Sequence, residues 1–286
     1  MDKVSVNGVE LAYEVTGDGE PILLIHGAFV CDAMKPLADR FDGYRVIRYH
    51  RRGYGESGAG VSPDLATHAA DARALLEALD AAPAHVIGHS YGGSTALQLA
   101  IDAPDTLKSM TLLEAATPGQ TPSAETTGAV IGQVIAPFFE GRGEEAVDRF
   151  LHMVFGPAWR EDVAQALSPA SVDQAISDAD DAFAGDLGSL MSWTITGEQA
   201  ASIDCPVLIV LGAKSDETVR AALAAMEIDA PQNDVFGEMT EVQSAWMPHA
   251  RVLTLPGINH ALQVQDAETV AGVIGTFLAE QRAVLT

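Results

Sequence analysis

Cysteine is scarce in this chain: there are two in 286 residues, Cys31 and Cys205. Neither belongs to a C-x-x-C pair, so a thiolate metal site or a dithiol redox motif is not supported. Two reduced, buried thiols in a cytoplasmic protein are the expectation. Cys31 falls near the candidate site but has no adjacent base signature, and it reads as structural. Positive charge is scarce as well. Sixteen Lys and Arg stand against 40 Asp and Glu, a formal net charge of −24, and only four of the cations are lysines. Phosphate contacts need clustered cations, so nucleic acid is excluded as a partner. An anionic membrane surface would repel the chain for the same reason. The acidity reads as a solubility property that also discourages strongly anionic substrates. No run of eighteen apolar residues occurs, so no transmembrane helix is expected. Met1-Asp2-Lys3-Val4-Ser5 shows no basic stretch leading into an apolar one, so no secretory signal is expected either.

What the chain has in quantity is apolar residue, 48% of the sequence, enough for a full core. Length alone suggests two domains, but α/β folds of this size are often one. Short apolar runs alternate with helical patterns over two stretches. In the first, Val4-Ser5-Val6 and Leu11 to Val15, joined through Asn7-Gly8, read as a hairpin. Pro21 to Ile25, Tyr44 to Tyr49, Ala84 to Ile87 and Lys108 to Leu113 read as buried strands. Ser62-Pro63 reads as the start of a helix through Leu65, Ala72, Leu75, Leu76 and Leu79. In the second stretch, Val207 to Leu211 and Arg251 to Leu255 read as strands, and Ala267 to Arg282 as a final amphipathic helix. The alternation predicts an α/β fold, a mostly parallel sheet with helices on both faces. Residues 118–196 break the rhythm. Pro118 to Gly128 is loop-like, and helical patterns such as Glu144 to Val154 and Glu161 to Leu167 follow without a strand. An all-helical insert between two sheet strands is expected to form a lid over their C-terminal ends. The expected division is a core of residues 1–117 and 197–286 with a helical cap of residues 118–196. The cap holds twelve acids and three arginines. Its apolar members Phe138, Phe139, Met153, Phe155, Trp159, Phe183, Met191 and Trp193 are the candidates to line a pocket.

The most informative stretch is Gly88-His89-Ser90-Tyr91-Gly92-Gly93, between an apolar run and an alanine-rich helical pattern. This is strand, sharp turn and helix, with a serine at the apex and glycine two residues to either side. A Cβ at those flanking positions would clash in so tight a turn. The pattern is the G-x-S-x-G elbow, which exposes a nucleophilic serine at the N-terminus of a helix. A serine hydroxyl needs a base to take its proton. Of eight histidines, His260 lies in Pro256-Gly257-Ile258-Asn259-His260, just past a strand's C-terminal end, where ligands gather in open α/β sheets. His260 is therefore the candidate base. His89 reads as orienting the elbow, while His68, His85, His152 and His249 read as surface or packing residues. An oxyanion hole needs two aimed N–H donors. One is expected from Tyr91, after the nucleophile. The other is expected from the loop His26-Gly27-Ala28-Phe29, with Ala28 first choice and Phe29 second; His26 reads as holding that loop.

His26-Gly27, Arg51-Arg52-Gly53-Tyr54-Gly55-Glu56-Ser57, the elbow at Ser90 and Pro256 to His260 occur in this order. In these pieces the chain resembles the α/β-hydrolase fold family. One departure is His50, where relatives usually carry aspartate, so the bonding of that loop must differ. Family members usually carry the triad acid after the strand equivalent to Val207 to Leu211. Here that text is Gly212-Ala213-Lys214-Ser215, with Asp216 one residue late. A minority of relatives place the acid after the strand that follows the elbow helix. There this chain has Glu114, 24 residues beyond Ser90, and Glu114 is favoured over Asp216. A carboxylate at that strand exit is costly to bury unpaired, so a partner is expected. The resemblance implies a serine hydrolase of a carboxylic ester or lactone with a small to medium, largely apolar substrate. That mechanism needs no metal and no cofactor, and the net charge of −24 favours a free monomer or homodimer. Serine at the apex argues against the epoxide hydrolase and dehalogenase branches. The alternatives on the same triad are C–C bond hydrolysis, hydroxynitrile lyase chemistry, or cofactor-free perhydrolase (haloperoxidase) chemistry. A non-catalytic ligand receptor on the same fold is the distant alternative.

Overall fold

In a computed structural model, which describes residues 1–58, 64–229 and 234–284, eight strands form one sheet in the order β1-β2-β4-β3-β5-β6-β7-β8. β1 (Asp2–Val6) and β2 (Val9–Thr16) form the hairpin, turning on Asn7 (φ 46°) and Gly8 (φ 74°). Two successive residues at positive φ are what a two-residue loop needs to match the strand twist. β2 pairs antiparallel with β4 (Tyr44–Tyr49); every later pairing is parallel. The other strands are β3 (Glu20–Ile25), β5 (Ala84–His89), β6 (Leu107–Leu113), β7 (Val207–Gly212) and β8 (Arg251–Leu255).

The near-continuous apolar strands serve two cores at once, because alternate side chains leave opposite faces of the sheet. Ile22, Leu24, Ile87, Leu208 and Val210 pack on one face with the helix α13 (Ala267–Val284). Leu23, Ile25, Val86, Met110 and Ile209 pack on the other with α2 (Leu65–Ala78) and α3 (Tyr91–Asp102). A short α1 (Lys35–Ala38) joins the first face. Ser62 and Pro63, expected to open α2, lie outside the described residues. The helix begins at Leu65, and the Asp64 carboxylate caps it by accepting from the Thr67 N–H at 2.7 Å.

Between β6 and β7 the chain is helical throughout. The segments are α4 (Ala124–Phe139), α5 (Gly143–Phe155), α6 (Trp159–Ala166), α7 (Pro169–Ser177), a π-helical turn (Asp181–Leu187), α8 (Gly188–Ser192) and α9 (Gly197–Ala201). Helices α4 to α7 and the π-helical turn build a third core, shared with Phe29 beyond β3 and Ala261 beyond β8. The loop expected from Pro118 to Gly128 is shorter than the sequence suggests. Thr127, Val130 and Val134 are buried at helical spacing, and that face folds residues from Ala124 onward despite their Gly and Thr content. After β7 come α10 (Ser215–Ala225) and α11 (Val235–Trp246), then α12 (Leu262–Gln265) after β8. Cys31 is buried as expected, but Cys205 is only partly so, and the two are unpaired. No helix among the described residues is long and apolar enough to cross a membrane.

Two truncations separate core from periphery. Leu24 has no exposure, and Leu24→Ala is expected to cost about 3 kcal/mol of unfolding free energy in urea titration. Phe139 is 73% exposed, and Phe139→Ala is expected to change stability by less than about 0.5 kcal/mol.

Candidate active site

The elbow forms because β5 runs directly into α3 through one residue. Ser90 is held at φ 52°, ψ −119°, a conformation that side-chain-bearing residues rarely adopt. A Cβ at Gly88 would lie 2.3 Å from the Gly92 carbonyl oxygen, and one at Gly92 would lie 2.3 Å from that of Ile25. Only glycine fits either place. The Ser90 N–H donates to the Leu113 carbonyl at 3.0 Å, and the Ser90 carbonyl accepts from Gly93, Ser94 and Ala116. Tyr91 and Gly92 open α3, where N–H groups have no acceptor within the helix.

Glu114 follows β6 as Ser90 follows β5, and it too is held at positive φ, 44°. Its side chain is buried. Oε2 accepts from His260 Nδ1 at 2.6 Å, while Oε1 accepts from Ser215 Oγ at 2.6 Å and the Gly212 N–H at 2.7 Å. Burial pushes the Glu114 carboxyl up to about 7, against the pull of the Ser215 and Gly212 donors. Burial pushes the His260 imidazole down to about 3. The bonding decides where the proton resides. Three donors on one carboxyl hold it as the carboxylate, and His260 is then neutral with its proton on Nδ1. Nε2 keeps its lone pair. The His260 ring lies tilted against Phe236 and His89, at centroid distances of 4.5 and 4.7 Å.

Asp216, the other candidate acid, is engaged elsewhere. Its carboxylate accepts from the Phe236 and Gly237 N–H groups at 2.9 and 3.1 Å, capping the first turn of α11. His89 Nε2 donates to the His260 carbonyl at 2.8 Å, so it ties the elbow to the loop that carries His260. His26 Nε2 accepts the Arg51 N–H at 2.9 Å, which leaves Nδ1–H to donate to the Gly27 carbonyl at 2.6 Å. Phe29 is at φ 68°. At His50 the imidazole does the loop bonding: Nδ1 accepts the Glu56 N–H at 3.1 Å and Nε2 donates to Asp32 at 3.2 Å. Cys31, Asp32 and His50 have ligand atoms within 4.8 Å of one another, the spacing of a cation site. Both His50 nitrogens are spent, however, and Asp32 also accepts from Arg48 at 2.8 Å, so the set offers no free imidazole lone pair.

Ser90, His260, Ala28, Phe29 and Tyr91 line one cavity of about 100 Å³. Its walls are otherwise almost wholly apolar. Of the aromatic and methionine side chains expected there, Met153 and Phe155 do line it. Phe183 packs on Phe29 and Phe138 instead, and Trp159 donates to Asp148. Trp193 donates to Gln98, and Phe139 and Met191 face solvent. The sequence reading missed Val219 of α10 and Val235, Phe236 and Met239 of α11, which close the cavity from the far side of β7. It also missed Ser215 as a partner of Glu114, although that residue stands where relatives carry the acid itself.

The profile of the alpha/beta hydrolase fold family matches residues 20–225, and the chain belongs to that family. Over 110 residues it is 36% identical to RutD of Azorhizobium caulinodans, a protein with a provisional carbamate-hydrolase name; the match covers 36% of this chain and 40% of that protein. The chain thus spans about two-fifths of the length of the first curated relatives it matches. Among solved structures it is similar to a thermophilic esterase from Thermogutta terrifontis, at TM-score 0.74 and 21% identity, over 98% of this chain and 99% of that one. It is also similar to the enol-lactonase from Burkholderia xenovorans LB400, at TM-score 0.70 and 20% identity, over 97% and 100% of the two chains. At such identities the likeness is one of fold.

The two acids separate by mutation. Glu114→Gln is expected to lower turnover of an activated ester about 10⁴-fold by spoiling the histidine tautomer. Asp216→Asn is expected to keep turnover within about threefold and to lose at most about 1 kcal/mol of stability with its cap. A second expectation concerns pH. With His260 as the expected base, protonation of the Glu114–His260 pair is expected to lower kcat/KM as pH falls. Ser215→Ala removes a donor that favours the carboxylate, so the pair takes its proton at higher pH. The acid limb of the profile should move up by about one unit, the worth of one hydrogen bond. An unmoved or lowered midpoint would contradict this.

Proposed function

We propose that this protein is a serine hydrolase that cleaves a carboxylic ester or lactone through an acyl-enzyme on Ser90. The observation that carries the reading is the 2.6 Å bond from His260 Nδ1 to Glu114, made in the wall of the cavity that also holds Ser90. His260 Nε2 takes the Ser90 proton as Oγ attacks the carbonyl carbon. Glu114 remains a carboxylate and stabilises the imidazolium that forms. The tetrahedral oxyanion rests on the N–H groups of Tyr91 and Ala28, each worth about 3 kcal/mol in the barrier. His260 then gives its proton to the leaving alkoxide, and water activated by the same nitrogen releases the acid. These groups supply every proton and charge the steps require.

The small apolar cavity supports a short, uncharged acyl group. Residues 118–196 act as the lid, since α4 and α5 supply much of the cavity wall. Two of the similar structures, an esterase and an enol-lactonase, carry names that fit acyl transfer, while a bromoperoxidase among them fits perhydrolase chemistry on the same triad.

A series of p-nitrophenyl esters from acetate to octanoate tests this. Turnover should be highest for short chains, and Ser90→Ala should lower it by about 10⁴-fold or more. A fluorophosphonate probe should label the peptide that carries Ser90. Equal rates from wild type and Ser90→Ala would overturn the reading.

A further inference from the structure

Arg51 takes no part in the steps above, yet it bonds the peptide that carries the Ala28 N–H and lies against the Tyr91 ring. The side chain is fully buried. Nε donates to the His26 carbonyl at 3.1 Å and Nη2 to the Gly27 carbonyl at 2.9 Å. The Gly27 carbonyl and the Ala28 N–H belong to one planar trans peptide, so they point in opposite directions. Holding the carbonyl toward Arg51 therefore aims the Ala28 N–H away from it. The guanidinium carbon also lies 4.5 Å from the centre of the Tyr91 ring. Tyr91 is the residue that supplies the other donor.

A buried guanidinium needs an opposite charge. It comes from residue 186, in the π-helical turn of the helical segment. Arg51 Nη1 and Nη2 donate to the two Asp186 carboxylate oxygens at 3.1 and 2.5 Å, and Tyr54 Oη donates to one of them at 2.6 Å. Neither partner of the ion pair has any exposed side chain. Tyr91 Oη is bound in turn to Ser189 Oγ at 2.8 Å, and Ser189 Oγ donates to the Asp186 carbonyl at 3.0 Å. The pair and the Tyr91 ring thus form one bonded unit between the helical segment and the oxyanion loop.

We propose that Arg51 is a positioning residue for the oxyanion loop, and that Asp186 latches it there from the helical segment. This rests on the reading of Ala28 and Tyr91 as the oxyanion donors. The helical segment then does more than shape the cavity: it fixes the direction of the groups that stabilise the transition state. Neither residue touches substrate, so the effect appears in kcat rather than in KM.

Two variants test it. Asp186→Asn keeps the shape and removes the counter-charge. The triple variant Arg51→Met, Tyr54→Phe, Asp186→Leu removes the ion pair together with the hydroxyl it holds, so no buried charge is left alone. On p-nitrophenyl acetate, kcat should fall about 10- to 100-fold with KM changed less than about threefold, the signature of misaimed transition-state donors. Affinity for a boronic acid, whose tetrahedral adduct on Ser90 uses the same donors, should fall in step. Circular dichroism and thermal unfolding identify the folded variants. If Asp186→Asn does not fold, the triple variant decides alone. A folded variant whose kcat stays within about threefold of wild type overturns the proposal, as does a loss confined to KM. A wild-type protein that neither cleaves esters nor takes the fluorophosphonate would instead overturn the hydrolase reading.

Discussion

Three neighbouring strands, β3, β5 and β6, lead at one edge of the sheet into residues held at positive φ: Phe29 at 68°, Ser90 at 52° and Glu114 at 44°. None is glycine, and each such residue costs on the order of 1–2 kcal/mol. The parallel pairing makes that strain useful. It fixes the strand ends side by side, so three sharp turns bring the loop of residues 26–29, the Ser90 hydroxyl and the Glu114 carboxylate to neighbouring places. The cores on both faces of the sheet hold the strands in register and over-determine the turns. The site depends on this constraint before it depends on any side-chain chemistry.

Charge inside the protein is handled differently from charge outside it. The surface carries most of a formal net charge of −24, spread over side chains that water screens. The interior holds few charges, and Glu114 and Asp186 are bonded on both carboxylate oxygens. Glu114 takes three donors. Asp186 faces Arg51 with no exposure on either side. Burial works against the Asp186 charge, but Arg51 and His68 outweigh it and hold its carboxyl well below the ordinary range. Such pairs add little net stability, because desolvation consumes the Coulombic gain. Their value lies in fixed geometry, and both examples adjoin the cavity.

The sheet was legible because its central strands β3 to β7 are largely buried and read as apolar runs bounded by turns. Ser90 was legible because glycine is forced at Gly88 and Gly92 by contacts under 2.5 Å, which leaves a pattern in the text. His260 was legible from its place just past β8. Features built from contacts distant in sequence were not. Arg51 and Asp186 are 135 residues apart, and nothing local marks either as the other's counter-ion. The cavity wall was misjudged for a related reason. Aromatics such as Phe183 and Trp159 look like pocket residues in a list, but the helical segment needs them for its own core. Val219 of α10 and Val235, Phe236 and Met239 of α11 close the cavity because those helices follow β7, next to Glu114.

The placement of the acid follows from the same exclusion of unpaired charge. Ser215 Oγ is 2.6 Å from Glu114 Oε1 in a site without solvent. Two carboxylates at that distance cannot both ionise; one would stay protonated and compete for the proton that His260 must manage. With the acid at position 114, position 215 therefore requires a neutral donor, and serine supplies one of the right length. Asp216, a single residue later, sits one step around the start of α10. That step carries its carboxylate away from His260 and onto the free N–H groups that open α11. In the proposed site, what looks in the sequence like an acid slipped by one residue is instead one acid at Glu114, a supporting hydroxyl at Ser215 and a separate helix cap at Asp216.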